Sequence, residues 1–313
     1  MAYYLLKRLI ATIPVMLVVA VFIFLLLRLT PGDPAAMIAG DFASEAQVAE
    51  IREKLGLNDP LLVQFGIWIG NIFQGDLGES FFFKKQVTDL IMARIEPTLS
   101  LSVVTIILTV SIAVPMGVVA AYRQGTWLDR TVMAFSVLGF SIPVFVIGFA
   151  FIYIFSLELK WLPVQGYQRL SEGVGGWLKH LILPSLALSV IFVAFIARMT
   201  RTSVLEVLGE DYIRTARAKG QTETKVLVRH ALRNAAVPIV TVIGFAFAIL
   251  IGGVVVTESV FNIPGLGLLT VDAVLNRDFP TIQAVVLLFS MIYVLINLII
   301  DLSYTVLDPR IRY

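Results

Sequence analysis

Six long stretches of apolar residues, separated by polar segments, dominate the pattern of the chain. A helix that crosses a hydrocarbon layer of roughly 30 Å at about 1.5 Å per residue needs about 20 apolar residues. Each stretch reaches that length or falls just short of it, so the pattern predicts six transmembrane helices. The predicted spans are 9–29, 98–122, 131–157, 181–198, 236–257 and 282–303. The first is expected to be a retained helix, because its apolar run is longer than a signal-peptide core and no small-x-small cleavage site follows it.

Composition and charge agree with a membrane protein and set its orientation. Hydrophobic residues make up 58% of the 313 positions, charged residues only 15%, and the mean hydropathy is +0.90. With the N-terminus inside, the cytoplasmic parts hold 14 of the 24 basic and 7 of the 22 acidic residues, which is +7 inside and −5 outside. We therefore expect both termini in the cytoplasm. The net charge of +2 then reflects topology, and no nucleic-acid partner is needed to explain it.

The segment between the first two spans, residues 44–97, is expected to form a helical cap outside the membrane. It follows a tight turn at residues 31–34, PGDP, which cannot continue the first helix. Ser44 and Gln47 predict a capping box, and Gly56 predicts the end of the helix that begins there. Two roles stay open for this cap, which are packing over the helix bundle and docking or gating for an external partner.

Two further helices are predicted in the same segment. The first begins after Asp59-Pro60 and has an apolar face. That face consists of Leu61, Phe65, Trp68 and Ile72. The second runs from Val87 to Ile95 and ends before Pro97. The chain is accordingly divided into 1–97, the first span with the cap; 98–303, a five-helix core that includes a cytoplasmic loop at 199–235; and 304–313, a cytoplasmic tail.

One strongly basic segment lies between two apolar spans, at residues 210–238, EDYIRTARAKGQTETKVLVRHALRNAAVP. Basic residues up to Lys219 suit the negative end of a helix dipole, and Gly220 suits the left-handed turn that closes the helix. A second helix is expected to begin near Thr222, with Glu223 in its first turn. Its apolar stripe comprises Val226, Leu227, Ala231 and Asn234. Composition alone leaves two interpretations equal, namely a helix that inserts into a groove on a cytoplasmic ATPase and a basic loop that lies on anionic lipid.

A second motif, TESVFNIPGLG, follows the fifth span at residues 257–267. Pro264 and Gly265 break the backbone near the outer surface, where an irregular segment can line a pathway instead of facing lipid. The alternative is a simple connecting turn. Earlier in the chain, after the third span, a loop with proline and glycine contains Trp161 and Tyr167. Such aromatic side chains are typical of anchors at the membrane interface.

Several classes of function lack their expected residues in this sequence. There is no cysteine, and neither a GxxxxGK[ST] phosphate-binding motif nor a nucleophile turn occurs. His180 and His230 are isolated from carboxylate pairs at metal-ligand spacing. The central parts of the six spans carry no ionisable residue, so a proton relay is also missing. We expect no enzyme activity, no metal and no cofactor, and any ATP must be hydrolysed by another polypeptide.

The basic segment resembles the cytoplasmic EAA loop of ABC-importer permeases, in the form found in the dipeptide/oligopeptide branch, which also includes glutathione and nickel permeases. DYIRTARAKG and RHALRNAAVP carry this resemblance, although Arg214 and Lys219 replace two acidic residues of the general pattern. The second motif matches the same branch at Glu258, Phe261, Pro264, Gly265 and Gly267. The final LDPRIRY is also typical of it.

The resemblance implies a permease subunit with the type I ABC-importer transmembrane fold, a multi-pass protein of the bacterial inner membrane. Its implied partners are a second homologous permease, two cytoplasmic ATPase subunits, an external solute-binding protein and membrane lipid. It assigns ATPase coupling to Tyr212, Arg214, Ala216, Gly220, Glu223, Lys225, Arg229 and Arg233, and an outer gate to the five residues of the second motif. The alternative is a channel or secondary carrier that works alone. The sequence does not decide among dipeptides, oligopeptides, glutathione and nickel complexes.

Overall fold

The computed structural model describes residues 2–29, 34–39, 44–54 and 56–307. Within these residues the structure is helical, apart from one isolated antiparallel bridge between Glu79 and Gln86. The prediction of an all-α protein is confirmed. Most of the predicted turn at 31–34 and of the C-terminal motif at 307–313 lies outside the described residues.

Four helices are long and apolar enough to cross a membrane, and they confirm the second, fourth, fifth and sixth predicted spans. They are α5 (Val87–Tyr122), α8 (Val174–Leu208), α11 (Ala236–Gly253) and α14 (Phe279–Leu307). Helix α1 (Ala2–Leu29) coincides with the first predicted span, and its described apolar part is Ile10–Leu25.

The third span is bent, whereas the sequence predicted one continuous helix over 131–157. It consists of α6 (Trp127–Ser141) and α7 (Val144–Phe151), which is prolonged by a π-helical turn at Ile152–Glu158. The helix axis bends by 101° between the two halves. The break falls at Ile142, whose φ of −99° and ψ of 122° are extended, because the proline that follows disfavours the helical conformation.

One predicted boundary at a proline was wrong. The expected external helix from Val87 to Ile95 does not end before Pro97 but forms the first turns of α5, which continues through Pro97 and Pro115. Helix α8 runs through Pro184, as the predicted span 181–198 does, but it is longer than that span at both ends. A proline inside a membrane helix is tolerated where neighbouring groups satisfy the freed backbone, which sequence patterns alone do not reveal.

A second bent pair, α12 (Val255–Phe261) and α13 (Leu266–Leu275), was not predicted as helices. The pair turns through 93°. The charge distribution predicts both termini on the cytoplasmic side, which requires an even number of crossings, and the six predicted spans already supply it. We therefore interpret the α12–α13 pair as a re-entrant hairpin on the outer side.

The chain forms two compact units. The first comprises Met1–Ala93 and Leu269–Met291. Its helices include α2 (Pro34–Ala39), α3 (Glu45–Lys54) and α4 (Leu61–Phe73). The predicted capping box is confirmed, since the Ser44 backbone N–H donates to Gln47 Oε1 at 2.9 Å and the Gln47 N–H donates to Ser44 Oγ at 3.3 Å. Gly56 has a φ of +63°, as the predicted helix end requires.

The second unit comprises Arg94–Leu268 and Ile292–Tyr313, and α8 is its central helix. Of the most apolar part of α8, 67% is buried, against 28% for α5 and for α11. The remaining helical elements are a 3-10 turn at Leu170–Glu172, α9 (Asp211–Ala218), and α10 (Glu223–Lys225) with its π-helical continuation Val226–Leu232. The unit has a main apolar cluster around α8 and α11 and a smaller one under α9 and α10. The predicted domain boundaries at 97/98 and 303/304 stay predictions.

Candidate functional site

The basic segment forms a short helix whose buried face is narrow. In α9, Ile213 and Ala216 point into the smaller apolar cluster and are 0% and 9% exposed. Three-residue spacing places both on one face of the helix. The side chains of Tyr212, Arg214, Arg217 and Lys219 are exposed. One face therefore fixes α9 to the unit, while its basic face is available to another molecule.

Gly220 ends α9 in the left-handed conformation that the sequence predicted. Its φ is +75°, and its N–H donates to the carbonyl of Arg217 at 2.9 Å. The next N–H, of Gln221, returns to the carbonyl of Ala216 at 3.2 Å. A Cβ added at Gly220 would meet nothing within 4 Å. The glycine is needed for its backbone conformation and not for space.

The second helix packs beside α9 and is held to it by side chains. Val226 and Ala231 are fully buried in the same cluster, as the predicted stripe requires. Leu227 is only partly buried, and Asn234, which was predicted in the stripe, is exposed. Arg217 pairs with Glu223, with Nε to Oε1 at 2.9 Å, and both side chains are about 40% exposed. Across the two helices, Asn234 Nδ2 donates to the Tyr212 hydroxyl at 2.9 Å. The segment is thus a folded helix-turn-helix unit.

The structure therefore divides the predicted coupling residues into two kinds. Ala216 is buried and contributes packing. Exposed side chains are those of Tyr212, Arg214, Lys225, Arg229 and Arg233, with Glu223 half-buried in its ion pair. Arg214 lies 3.4 Å from Asp211 one turn earlier on the same helix. Only the exposed residues can contact a partner.

Asp129 and Arg201 form an ion pair next to the basic segment that was not predicted from the sequence. Asp129, at the start of α6, accepts hydrogen bonds from both Nε and Nη2 of Arg201 in α8, the latter at 2.7 Å. The same carboxylate accepts the Gly125 N–H at 2.9 Å. Asp129 is only 4% exposed. The loop between α5 and α6 is thereby fixed to the part of α8 that leads into α9. The sequence signal was two opposite charges, each at the cytoplasmic end of an apolar helix.

Glu258 lies at the bend of the re-entrant hairpin and is completely buried. Its Oε1 accepts the Thr98 hydroxyl proton at 2.6 Å, and its Oε2 accepts the Leu268 N–H at 2.9 Å. The Thr98 oxygen in turn accepts the Leu266 N–H at 2.7 Å. The carboxylate and the hydroxyl together cap the first turn of α13, where backbone N–H groups have no intrahelical partner and the helix dipole favours negative charge.

The other residues of this motif, which we call the Glu258 turn (residues 254–268), are placed around that carboxylate. A Cβ at Gly265 would lie 2.1 Å from Glu258 Oε1, and one at Gly267 would lie 2.7 Å from Val255 Cα. Phe261 is 2% exposed in the main apolar cluster, whereas Pro264 is exposed. Asn262 adopts a φ of +49°, a left-handed conformation that asparagine tolerates better than most residues.

The loop before α8 packs on the Glu258 turn. The Gly166 N–H donates to the Phe261 carbonyl at 2.9 Å, and Gln165 Nε2 donates to the Val260 carbonyl at 3.2 Å. The Tyr167 hydroxyl donates to Glu96 Oε1 at 3.2 Å. Burial raises the pKa of Tyr167. Trp161, predicted together with Tyr167 as an interface anchor, is 67% exposed.

Helix α11 connects the two predicted sites. The basic segment precedes it and the Glu258 turn follows it, so the 18 residues of α11 separate them by about 27 Å at ~1.5 Å per residue. That length is close to the thickness of a hydrocarbon core. Among the described residues there is no cluster of three or more His, Cys, Asp or Glu side chains that could hold a metal ion.

Comparison with known protein families covers nearly the whole chain. Residues 113–313 match the family described as "Binding-protein-dependent transport system inner membrane component". Residues 1–102 match the N-terminal membrane component of the same transport systems.

Three curated relatives match over almost their full length. The chain is 58% identical over 313 residues, all of both chains, to a probable peptide ABC transporter permease protein of Sinorhizobium fredii. It is 46% identical over 98% of each chain to a putative peptide transport system permease protein of Brucella abortus. It is also 46% identical over all of both chains to the glutathione transport system permease protein GsiC of Salmonella choleraesuis.

Solved structures give the fold. A structure of the MetNI methionine ABC transporter in an inward-facing conformation matches 70% of this chain and 96% of that chain, with a TM-score of 0.59 and 22% identity. The type I importer fold predicted from the sequence is confirmed. The relatives and this neighbour are membrane subunits of ABC transporters, so the alternative of a channel or carrier working alone finds no support among them.

Proposed function

This chain belongs to the family of binding-protein-dependent transport system inner membrane components, and from that membership we propose that it forms half of the membrane pathway of an ATP-driven peptide importer. The relatives named for peptide and glutathione transport share peptides as a chemical class, since glutathione is itself a small peptide. A second homologous permease supplies the other half. An external solute-binding protein delivers the peptide, and two cytoplasmic ATPase subunits drive the cycle.

The observation that carries this proposal is the arrangement of the basic segment. A short helix is fixed by Ile213 and Ala216 on one face and presents a row of exposed cations on the other. This is the arrangement expected of a helix that inserts into a groove of a partner protein. A loop that merely lies on anionic lipid needs neither the left-handed Gly220 turn nor the hydrogen bond between Tyr212 and Asn234.

ATP hydrolysis is assigned to the partner subunits, because this sequence has no phosphate-binding GxxxxGK[ST] motif. Closure of the ATPases shifts α9 and α10 together, since the Arg217–Glu223 pair and the buried cluster join them. The movement reaches α8 and α11, which continue directly from the segment. Each nucleotide state then favours a different arrangement of the spans.

The Glu258 turn is assigned to the outer end of the pathway. It is a re-entrant, irregular segment, and such backbone occurs at membrane depth only where it is buried in protein or lines a cavity. The carboxylate and Thr98 hold it closed on the start of α13. Breaking and remaking this small set of hydrogen bonds lets the turn shift without unfolding the helices beside it.

The test is to purify the tagged chain from its native membrane in mild detergent and to identify the proteins that come with it by mass spectrometry. The complex is then reconstituted in liposomes with its solute-binding protein and a labelled dipeptide. We expect two ATPases and a second permease in the complex, and uptake that requires both ATP and the binding protein. A single purified species that transports without ATP would overturn the proposal.

A further inference from the structure

The first unit contains a cavity that the transport function does not explain. Its volume is about 180 Å³, somewhat larger than the roughly 150 Å³ of a protein cavity that holds one small organic molecule. The cavity lies where α1 ends and α14 begins, beneath α4. Its lining includes Arg28, Trp68, Asp76, Phe279 and Gln283. With both termini in the cytoplasm, this is the outer end of the first and last spans.

Gln283 supplies a hydrogen-bond donor to the cavity wall. The residue is 8% exposed, and its Nε2 is buried and makes no hydrogen bond to any of the described residues. Leaving a buried donor unsatisfied costs about 1–3 kcal/mol, so such a group in a cavity wall indicates that something polar is missing from the cavity. The missing group must be an acceptor, since an amide nitrogen only donates.

Arg28 brings a positive charge to the same cavity. Its Nε donates to Gln64 Oε1 at 2.8 Å, and the guanidinium lies 4.6 Å from the centre of the Phe24 ring. These contacts fix its orientation. Within the described residues, its two terminal amino groups make no hydrogen bond. A planar guanidinium with free donors is well suited to a phosphate group.

Asp76 brings a negative charge, and it does not pair with Arg28. One carboxylate oxygen accepts the Gly78 N–H at 2.8 Å, and in the described part of the chain the other oxygen has no partner. Two opposite charges that face one cavity without forming an ion pair can both be satisfied by a ligand that carries an anion and a cation. A cation that donates hydrogen bonds suits a carboxylate better than one that cannot.

The surroundings of the cavity are apolar and exposed, as at a lipid surface. On α1, Val18 and Phe22 are 68% and 64% exposed, and on α4, Leu62 and Phe73 are 85% and 87% exposed. Helix α4 has only 13 residues and is too short to cross a membrane. It is attached to α1 by Phe24, which contacts the rings of Phe65 and Trp68 at 5.3 and 5.7 Å. An apolar helix in this position lies in the interface plane of the bilayer.

We propose that this cavity binds the head group of an outer-leaflet phospholipid that carries a phosphate and a primary ammonium group. The Arg28 guanidinium and the Gln283 amide donate to the phosphate, and Asp76 accepts from the ammonium. The acyl chains lie along the exposed apolar faces of α1 and α4. Phosphatidylethanolamine has this chemistry. Phosphatidylcholine lacks the N–H donors, and phosphatidylglycerol lacks the cation.

The test measures lipid binding to the purified importer complex, which is delipidated in detergent and titrated with each of the three lipids. Occupancy is read by native mass spectrometry. We expect phosphatidylethanolamine to bind roughly tenfold more tightly than the other two, the value of one charge-assisted hydrogen bond. Asp76→Asn keeps an acceptor for Gly78 and should remove this preference. Arg28→Gln should weaken the binding of all three lipids, and Arg28→Lys should retain part of that binding.

Matched controls are Asp89→Asn and Lys85→Gln, which remove exposed charges from the same unit. Gln283→Leu separates a lipid site from a structural role. It removes the unpartnered donor, so the lipid-free complex should unfold at the same or a higher temperature, while the stabilisation by phosphatidylethanolamine falls. Equal binding of the three lipids, or an unchanged preference in Asp76→Asn, would overturn the proposal. A loss of solute-binding-protein affinity in Arg28→Gln with unchanged lipid binding would also overturn it and would assign the cavity to a protein contact.

Discussion

The Glu258 carboxylate accepts a 2.6 Å hydrogen bond from the hydroxyl of Thr98, a residue 160 positions earlier in the chain. Thr98 directly follows Pro97 in α5, and Glu258 lies in the short helix before the bend of the re-entrant hairpin. Both side chains are almost fully buried, at 1% and 0% exposed. A hydroxyl that donates to a carboxylate while accepting a backbone N–H is satisfied on both sides. This relay ties α5 to the first turn of α13.

The first prediction concerns Thr98. Thr98→Val keeps the shape of the side chain but removes the hydroxyl, which donates to Glu258 Oε1 and accepts the Leu266 N–H. We expect a loss of roughly 1–3 kcal/mol in unfolding free energy, measured by thermal or denaturant unfolding in detergent. Thr98→Ser keeps the hydroxyl and should retain most of the wild-type unfolding free energy.

Thr109 provides the matched control for that experiment. It is buried in the same helix, but its hydroxyl makes no hydrogen bond within the part of the chain that the structure describes. Thr109→Val should therefore be neutral or slightly stabilising. Equal losses in Thr98→Val and Thr109→Val would show that the relay contributes nothing beyond packing.

The second prediction concerns the close approach of the hairpin at Gly267. A Cβ there would lie 2.7 Å from Val255 Cα, which is backbone and cannot move without shifting α12. We expect Gly267→Ala to destabilise the protein by about 1–3 kcal/mol, as overpacking does, and to lower uptake. Gly252→Ala is the control, because a Cβ at that position meets nothing within 4 Å. Similar unfolding temperatures for the two variants would contradict the close approach.

Much of the fold was predictable because long apolar runs and charge asymmetry are local properties of the sequence. Gly220 is a comparable case, since a glycine directly after a basic helix end predicts the left-handed backbone conformation found there. The bends were harder. Pro143 breaks the third span, whereas Pro97, Pro115 and Pro184 lie inside continuous helices. Whether a proline ends a helix depends on whether neighbouring groups satisfy the backbone carbonyl that it leaves without a partner. That is a property of the packed structure.

The partners of the predicted residues were not predictable from the sequence. Glu258 was identified by its motif, but Thr98 lies in a different apolar helix and carries no sequence signal that links the two. Asp129 and Arg201 were counted as cytoplasmic charges, and only the fold brings them together. Nor did the sequence show that Ala216 is buried and packs inside the unit, whereas its basic neighbours are exposed and can contact a partner.

The third prediction tests the pair formed by Asp129 and Arg201 with a double-mutant cycle. Asp129 is almost buried and accepts two hydrogen bonds from Arg201, so we expect a coupling energy of roughly 0.5–3 kcal/mol between Asp129→Asn and Arg201→Gln. Unfolding in detergent gives the four free energies. The exposed Arg217–Glu223 pair is the control, with an expected coupling of only about 0.2–1 kcal/mol. Equal couplings would mean that burial does not strengthen the first pair.

The fourth prediction concerns pH and Tyr167, which lies in the loop before α8. Because burial raises the pKa of this phenol, the folded state holds its proton more tightly than the unfolded chain, whose tyrosines titrate near pH ~10. The stabilisation is complete below that pH and is lost as pH rises through the folded-state pKa. Tyr167→Phe should flatten the fall in stability above about pH 10. An unchanged slope in that variant would assign the alkaline loss to other groups.

The last prediction separates energy coupling from folding at Gly220. Any residue with a Cβ is strained at its φ of +75°, and a β-branched residue most of all, although there is space for the side chain. We expect Gly220→Val to reorient α9 relative to α10 without unfolding the spans. In the reconstituted importer, ATP hydrolysis should persist while peptide uptake falls by tenfold or more, a change of about 1.4 kcal/mol or above. Gly209→Val is the matched control, because Gly209 lies one helix earlier with a φ of −78° that valine accepts. Normal uptake in Gly220→Val at equal membrane content would mean that the turn does not transmit the movement of the ATPases, and the exposed cations of α9 would then have to act without it.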